Sequence, residues 1–365
     1  MFSSDDLSSL RRHPNSGLVE IIDQTLLPHE LKWCSLDSLA AYCHAIEVMQ
    51  VRGAPLIGVT AACGLAFAVN ENATDANIQS SAAQLLATRP TAVNLRWALE
   101  QVRSAIAGLP EAERGAAAWA RAMAIRDEDI RHCSRIGDCG LVELRTLAAA
   151  SGSDSLNIMT HCNAGWLAAV QWGTALAPIY KAHAAGIPVH VWVSETRPRN
   201  QGMNLTAWEL QRAGVPCTVV ADNSCGHLMR EGLVDCVIVG TDRTAANGDV
   251  CNKIGTYLKA LAASANEVPF FVGLPAATVD WLCPDGDQIP IEQRSAQEVL
   301  EVRGQDVTGT YSVVRLSAPD TEAGNPAFDV TPAHLVSKLL TEYGAFTATP
   351  EGMAQLRAQL PDHLA

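Results

Sequence analysis

The stretch NIMTHCNAGWLAAV, residues 157–170, interrupts an apolar run with a polar, small segment in which Cys162 stands among His161, Asn163 and Gly165. A thiol there is either a small buried side chain at a turn or a reactive group. If the segment opens a helix, the unpaired backbone N–H groups of the first turn favour a thiolate. Asn163 would then cap the helix and Gly165 would let backbone approach a ligand. The second candidate is Asp242, in VIVGTDRTAANGD, residues 237–249. A carboxyl directly after an apolar strand can serve as a general acid, a metal ligand or a cap. Asp249 suits the cap better, because NGDVCNKIG leads into a helix, and Arg243 reads as a structural ion-pair partner.

A third group of residues suits an anion. VRGAPLIG, residues 51–58, places Arg52 and Gly53 just before Pro55 at a helix start, where N–H groups and a guanidinium fork bind phosphate. Arg96, in AVNLRWAL, and Lys253, beside Asn252, are further candidates; taken singly, each of these cations is more readily a surface ion pair. Neither GxGxxG nor GxxxxGK[ST] occurs, which argues against dinucleotide and ATP sites. Cys133 and Cys139 lack the paired spacing of a zinc site.

Periodicity supplies the elements that must hold these residues. Residues 1–150 read as a mostly helical domain, with helical spacing at 36–49, 55–69, 77–88 and 92–107 and a long helix-like stretch over 111–149 broken near Gly137–Gly140. SGSDS, residues 151–155, marks a boundary, and residues 151–365 form the second domain. There, short apolar strands at 156–160, 189–193, 217–221, 235–240 and 269–274 alternate with helices at 164–186, 205–214, 225–232 and 253–265. That alternation predicts an α/β fold with a largely parallel, Rossmann-like sheet. The tail over 325–344 reads as a loop and one more helix. Several strands end in unusually polar segments, HCNAG, SETRPRNQG, DNSCG and TDRTAANGD. Ligands of open α/β sheets lie beyond the carboxyl ends of the strands, so these loops are expected to converge.

Composition narrows the class. The 365 residues are 48% hydrophobic and 18% charged, with a net charge of −13, and the 26 basic residues form no long run. No nucleic-acid surface, signal peptide or membrane span is expected. Eleven scattered cysteines without framework spacing suggest reduced thiols and a cytoplasmic location.

Taken together and in order, RGAPLIG, NLRWAL, THCNAG, ETRPRNQG with LTAWEL, GTDRTAANGDVCNKIGTY, IPIEQR and NPAFDVTP resemble the methylthioribose-1-phosphate isomerase family over roughly residues 15–345. This family of methionine salvage shares a superfamily with regulatory subunits of a translation initiation factor's guanine-nucleotide exchange complex. The resemblance implies a homodimer acting on a phosphorylated pentose without metal or cofactor. It implies substrate contacts at Arg52, Gly53, Ala54, Arg96, Gln201, Asn252 and Lys253, a proton donor at Asp242, and transition-state stabilisation at Cys162. Isomerases of 5-deoxyribose 1-phosphate or ribose 1,5-bisphosphate are the near alternatives. A non-catalytic subunit binding sugar phosphate or nucleotide is the distant one. The family usually has Arg where Asn204 stands, and few basic residues adjoin the motifs, which argues against a second phosphate. Met203, Trp33 and the helix of VRGAPLIG are the expected apolar wall for a methylthio group.

Overall fold

The computed structural model describes residues 7–89, 92–152 and 154–361. The chain opens with a three-stranded antiparallel sheet, β1 (Leu10–Arg12), β2 (Val19–Ile22) and β3 (Trp33–Leu36), which the sequence reading did not anticipate. Its strands have three or four residues each, too few for a period-2 signal. Helices α1 (Leu39–Glu47), α2 (Ala54–Glu71), α3 (Asp75–Thr88), α4 (Val93–Ile106) and α5 (Glu111–Ser151) follow, close to their expected positions. Leu56, Val59, Ala62, Leu65, Ala66 and Val69 of α2 are all buried, and the other helices pack around it. By length and composition α2 is apolar enough to cross a membrane, but most of it is enclosed by its neighbours.

Helix α5 is continuous, contrary to the expected break. Its glycines permit close packing instead: a Cβ on Gly140 would overlap Pro178, and one on Gly137 would stand 3.0 Å from the Ala177 Cβ. Gly152, with φ of 63°, ends the helix, and the sheet begins four residues later.

The second half contains β4 (Leu156–His161), α6 (Leu176–Ala184), β5 (Val189–Ser194), a π-helical turn (Gly202–Thr206) running into α7 (Ala207–Arg212), β6 (Cys217–Val220), α8 (Cys225–Arg230) and β7 (Cys236–Val239). Strands β8 (Arg243–Ala245) and β9 (Val250–Lys253), α9 (Thr256–Ala265), β10 (Phe270–Gly273) and β11 (Val279–Asp280) follow, then a short α10 (Gln297–Leu300) and the hairpin β12 (Glu301–Gln305) and β13 (Tyr311–Arg315). The chain closes with β14 (Phe328–Thr331), β15 (Lys338–Thr341), β16 (Gly344–Phe346) and α11 (Pro350–Arg357). The helix expected within 325–344 is therefore two strands joined by a single 3₁₀ turn at Ala333–Leu335. Buried neighbours on both faces make KLLT a strand that its apolar pattern alone did not separate from a helix.

The main sheet has seven strands in the order β16-β15-β10-β7-β4-β5-β6, parallel except for the last pairing, β15 with β16. Its side chains alternate between two cores. Ile158, Cys236, Ile238 and Phe271 face α5 and α6, whereas Met159, Val237, Val239 and Phe270 face α8, α9 and α11. From β4 the chain builds outward to β5 and β6, then returns to β4's other side to place β7. The switch in strand order thus falls between β4 and β7, where a crevice opens at the carboxyl ends. A separate four-stranded sheet, β11-β8-β9-β14, begins in chain order with the segment that directly follows β7.

Candidate active site at the switch in strand order

Cys162 follows β4 and Asp242 follows β7, so the two candidates flank the crevice. They line the same cleft, of about 780 Å³, together with Arg52, Gly53, Ala54, Gln201 and Lys253. An adjoining pocket of about 460 Å³ shares Arg52, Cys162 and Asp242 and adds His161, Asn163 and Asn252. Arg96 lines neither; it is exposed on α4.

Cys162 does not open a helix. It sits in the left-handed region with φ of 65°, and the next regular element is a 3₁₀ turn at Trp166–Ala168, with α6 starting only at Leu176. The strained backbone is held at both ends. Its N–H donates to Thr196 Oγ1 at 2.8 Å and its carbonyl accepts from Thr206 Oγ1 at 2.6 Å. The positive charge beside the sulfur comes from Arg52 rather than from a helix: Nη2 lies 3.8 Å from Sγ. Arg52 is itself fixed by Asn163, giving Nη1 to Oδ1 at 2.6 Å and Nη2 to the backbone carbonyl at 2.9 Å. Its remaining N–H groups are left for a ligand.

Neither Asn163 nor Gly165 has the expected role. Asn163 is an interior linker whose Nδ2 donates to Glu209 Oε1 at 2.8 Å. Gly165 admits the Glu209 carboxylate, which a Cβ at that position would overlap. Gly165→Ala is expected to destabilise the fold by about 3 kcal/mol or more, the scale of overpacking against an immovable buried polar group. Chemical denaturation of the variant checks this.

His161 is buried and neutral. Burial and the nearby Lys259 push its imidazole below the ordinary range. Because the Ile254 carbonyl, 2.8 Å away, can only accept, Nε2 carries the proton and Nδ1 faces Thr196 Oγ1 at 3.3 Å. It thus braces the β4 end.

Asp242 is placed by its backbone, whose N–H donates to the Cys251 carbonyl at 2.9 Å; Thr241 Oγ1 donates to the same carbonyl at 2.9 Å. Asp249 is not a helix cap. It accepts from Ala333 N and Gly286 N at 2.8 and 2.9 Å and ties three loops together. The cap at α9 is Asp329 of β14, which accepts from Gly255 N at 2.6 Å and Tyr257 N at 3.2 Å. Asn252 Nδ2 donates to Thr256 Oγ1 at 3.0 Å. Gly53, with φ of 91°, begins α2 tightly against Ala168, so the positive end of that helix borders the cleft.

Lys253 is buried, its Nζ 2.7 Å from the Ala327 carbonyl and 4.5 Å from the Phe328 ring centre. Burial first, and Arg294 second, push it down to about 8. Its charge is therefore lost as pH rises through that value, and an anion bound beside it is released. The KM for a phosphate monoester is expected to be about tenfold higher at pH 9 than at pH 7, the ratio of protonated lysine at the two pH values. In Lys253→Met this rise should disappear.

The cleft is more basic than the sequence reading expected. Arg89, Arg243 and Arg294 also line it. Each has a carboxylate partner: Glu292 lies 3.7 Å from Arg89 and 2.9 Å from Arg294, and Asp280 lies 3.5 Å from Arg243. The apolar wall consists of Met49, Ile57, Ile289, Pro290 and Phe328. Of the expected wall only the VRGAPLIG helix contributes, through Ala54 and Ile57. Met203 is substantially exposed, and Trp33 lies under Arg11, 4.0 Å from guanidinium carbon to ring centre. IPIEQR and NPAFDVTP carry Ile289, Pro290, Arg294 and Phe328, so the signal was present in the sequence without an assigned role.

The family comparison fits this geometry. The initiation factor 2 subunit family matches residues 50–348. The chain belongs to that family. Methylthioribose-1-phosphate isomerase from Rhodospirillum rubrum is 57% identical over 346 residues, covering 93% of this chain and 89% of the relative. The protein of the same name from Dechloromonas aromatica is 54% identical, covering 95% and 96%. Among solved structures, 5-methylthioribose 1-phosphate isomerase from Pyrococcus horikoshii OT3 superposes with a TM-score of 0.84 at 34% identity over 98% of both chains. The translation initiation factor eIF-2B delta subunit from A. fulgidus superposes at 0.80 with 33% identity over 96% of this chain and 98% of its own. Fold likeness therefore extends to members named as isomerases and to members named as initiation-factor subunits. The relatives at 54–57% identity are named as isomerases.

Proposed function

We propose that this protein converts 5-methylthioribose 1-phosphate to 5-methylthioribulose 1-phosphate, a step of methionine salvage. The observation that carries the reading is the meeting of Cys162, Asp242 and the cations Arg52 and Lys253 in one cleft. The isomerase relatives support it.

The chemistry accounts for each group. A phosphate on the anomeric oxygen prevents the ring from opening as a free hemiacetal. Ring opening therefore needs a proton on O4 as the C1–O4 bond breaks, and Asp242 supplies it. Hydrogen then moves from C2 to C1 and the O2 proton leaves, which balances the proton given to O4. Along a proton-transfer route Cys162 takes the C2 proton and C1 is reprotonated. Along a hydride route Cys162 borders the cationic carbon as hydrogen passes directly. Deuterium from solvent enters C1 only by the first route. Arg52, Lys253 and the α2 N-terminus hold the phosphate. Metal chemistry is not part of this reading.

Arg89, Arg243 and Arg294 weaken the sequence argument against a second phosphate, although Glu292, shared by Arg89 and Arg294, and Asp280, beside Arg243, offset two of the three charges. The wall formed by Met49, Ile57, Ile289, Pro290 and Phe328 suits an apolar group at C5. Comparing kcat/KM for 5-methylthioribose 1-phosphate, 5-deoxyribose 1-phosphate and ribose 1,5-bisphosphate tests this. The methylthio sugar is expected to lead the deoxy sugar by about 10-fold, the worth of one small apolar group. A preference for the bisphosphate, or no ketose formed from any of them, overturns the reading. A cytoplasmic homodimer completes the proposal. Eleven free cysteines support a reducing compartment, and sedimentation at twice the chain mass is the expected result.

A further inference from the structure

Glu209, on α7, has no exposed surface and no cation paired with it among the described residues. Its carboxylate instead accepts four hydrogen bonds. Asn163 Nδ2 at 2.8 Å and Leu167 N at 3.0 Å donate to Oε1; Trp166 N and the Tyr180 hydroxyl, each at 2.9 Å, donate to Oε2. Three of the four donors belong to the loop that follows Cys162, and Gly165 of that loop lies against the carboxylate where no side chain fits. Burying a carboxylate is costly, and an acid kept inside four donors holds a geometry that an apolar side chain could not.

That geometry reaches the cleft through one amide. Thr206 Oγ1 gives its proton to the Cys162 carbonyl, so toward Asn163 it is an acceptor, 3.2 Å from Nδ2. With Glu209 also an acceptor, Nδ2 must face inward and Oδ1 must face Arg52. Arg52 Nη1 donates to that Oδ1 at 2.6 Å, and this places Nη2 3.8 Å from Cys162 Sγ.

We propose that Glu209 is a positioning residue for the isomerisation: as a carboxylate it fixes the amide orientation of Asn163 and the loop after Cys162, and through them holds Arg52 beside the Cys162 sulfur. The proposal rests on the isomerase reading above for its catalytic consequence.

The arrangement responds to pH. Burial pushes Glu209 up to about 7, against the pull of its hydrogen bonds from Asn163, Leu167, Tyr180 and Trp166. A proton on Glu209 would meet donors on every side, and the loop would shift to relieve them. The titratable group facing it is Tyr180 of α6, whose ionisation is pushed well up by burial and by Glu209 itself. The loop brings Cys162 and Arg52 only beyond Asn163. On α7 the cation Arg212 is engaged over Trp208, 4.9 Å from the ring centre.

The test uses two variants and a readout separate from turnover. In Glu209→Gln an amide N–H is turned toward donors, and kcat/KM is expected to fall at least 30-fold. Alkylation of Cys162 by iodoacetamide at fixed pH, resolved by peptide mass spectrometry, is expected to slow at least fivefold as Arg52 leaves the sulfur. Tyr180→Phe removes one donor and keeps the rest of the core; it raises the proton affinity of Glu209, so the acid limb of kcat moves to higher pH by about half a unit or more. A merely structural role would lower the melting temperature of Tyr180→Phe without moving that limb. If Glu209→Gln does not fold, the alkylation comparison is made on Tyr180→Phe at a pH on its shifted limb. Wild-type Cys162 alkylation together with an unmoved acid limb overturns the proposal. Because alkylation does not need a sugar, a failure of the substrate assignment leaves this result readable by itself.

Discussion

Asp242→Asn and Cys162→Ala are each expected to lower kcat by at least about 100-fold, the lower scale of acid–base contributions. Folding should be nearly untouched. The Asp242 position is held by its backbone N–H on the Cys251 carbonyl, and among the described residues no hydrogen bond ties its carboxylate to the protein. Cys162 is likewise held through its backbone, by Thr196 and Thr206, and its sulfur contributes only the long contact to Arg52. Melting temperatures within about 1–2 °C of the wild type are therefore expected, equivalent to about 1 kcal/mol in a chain of this size. The double variant should be little worse than either single one, because the two groups act on successive parts of one reaction. Steady-state kinetics with thermal melting checks this. A variant that retains wild-type turnover removes its residue from the mechanism.

Arg52→Ala should weaken binding of the phosphorylated sugar by about 10- to 100-fold, the worth of a charge-assisted hydrogen bond to an anion. The unphosphorylated sugar should lose less than about threefold on the same scale. The difference arises because Arg52 has two tasks. It spends two N–H groups on Asn163, directs a third toward the Cys162 sulfur and offers the rest to the phosphate. Equal losses for both sugars would mean that it serves only the loop. Arg52→Lys should not restore binding, because an ammonium cannot span the Asn163 side chain and carbonyl as a fork. Calorimetric titration with the two sugars separates these outcomes.

Local signals were strong where an element is long or repeated. The 3.6-residue spacing of α1 to α4 was visible because each helix buries at least one face, and the apolar runs of β4, β7 and β10 because those strands are buried on both faces. Short strands carried no such signal. Strands β1 to β3, β8, β9 and β14 have three or four residues each, and one of the pairings, that of Asp329 with Asn252, joins segments far apart in the chain. Glycines misled for a related reason. Gly137 and Gly140 read as a break in α5, yet they are where α6 approaches the unbroken helix most closely.

The site divides in the same way. Residue type and position at a strand end were enough to single out Cys162 and Asp242, because the carboxyl edge of a parallel sheet is where such groups converge whatever the details of the loops; Arg52 and Lys253 were singled out as cations at expected helix starts. Only the folded chain decided what surrounds them. Cys162 lies at no helix start, and its positive neighbour is Arg52, from a residue 110 positions earlier. Arg89 and Arg294, and the ring of Phe328, enter the cleft from segments that carry no charge pattern of their own. Glu209 carried no signal in the sequence reading; it is a buried acceptor because α7 packs against the loop after β4. The chemistry of a side chain is written in the sequence; the field it experiences is set by groups brought together across the chain, and that depends on packing.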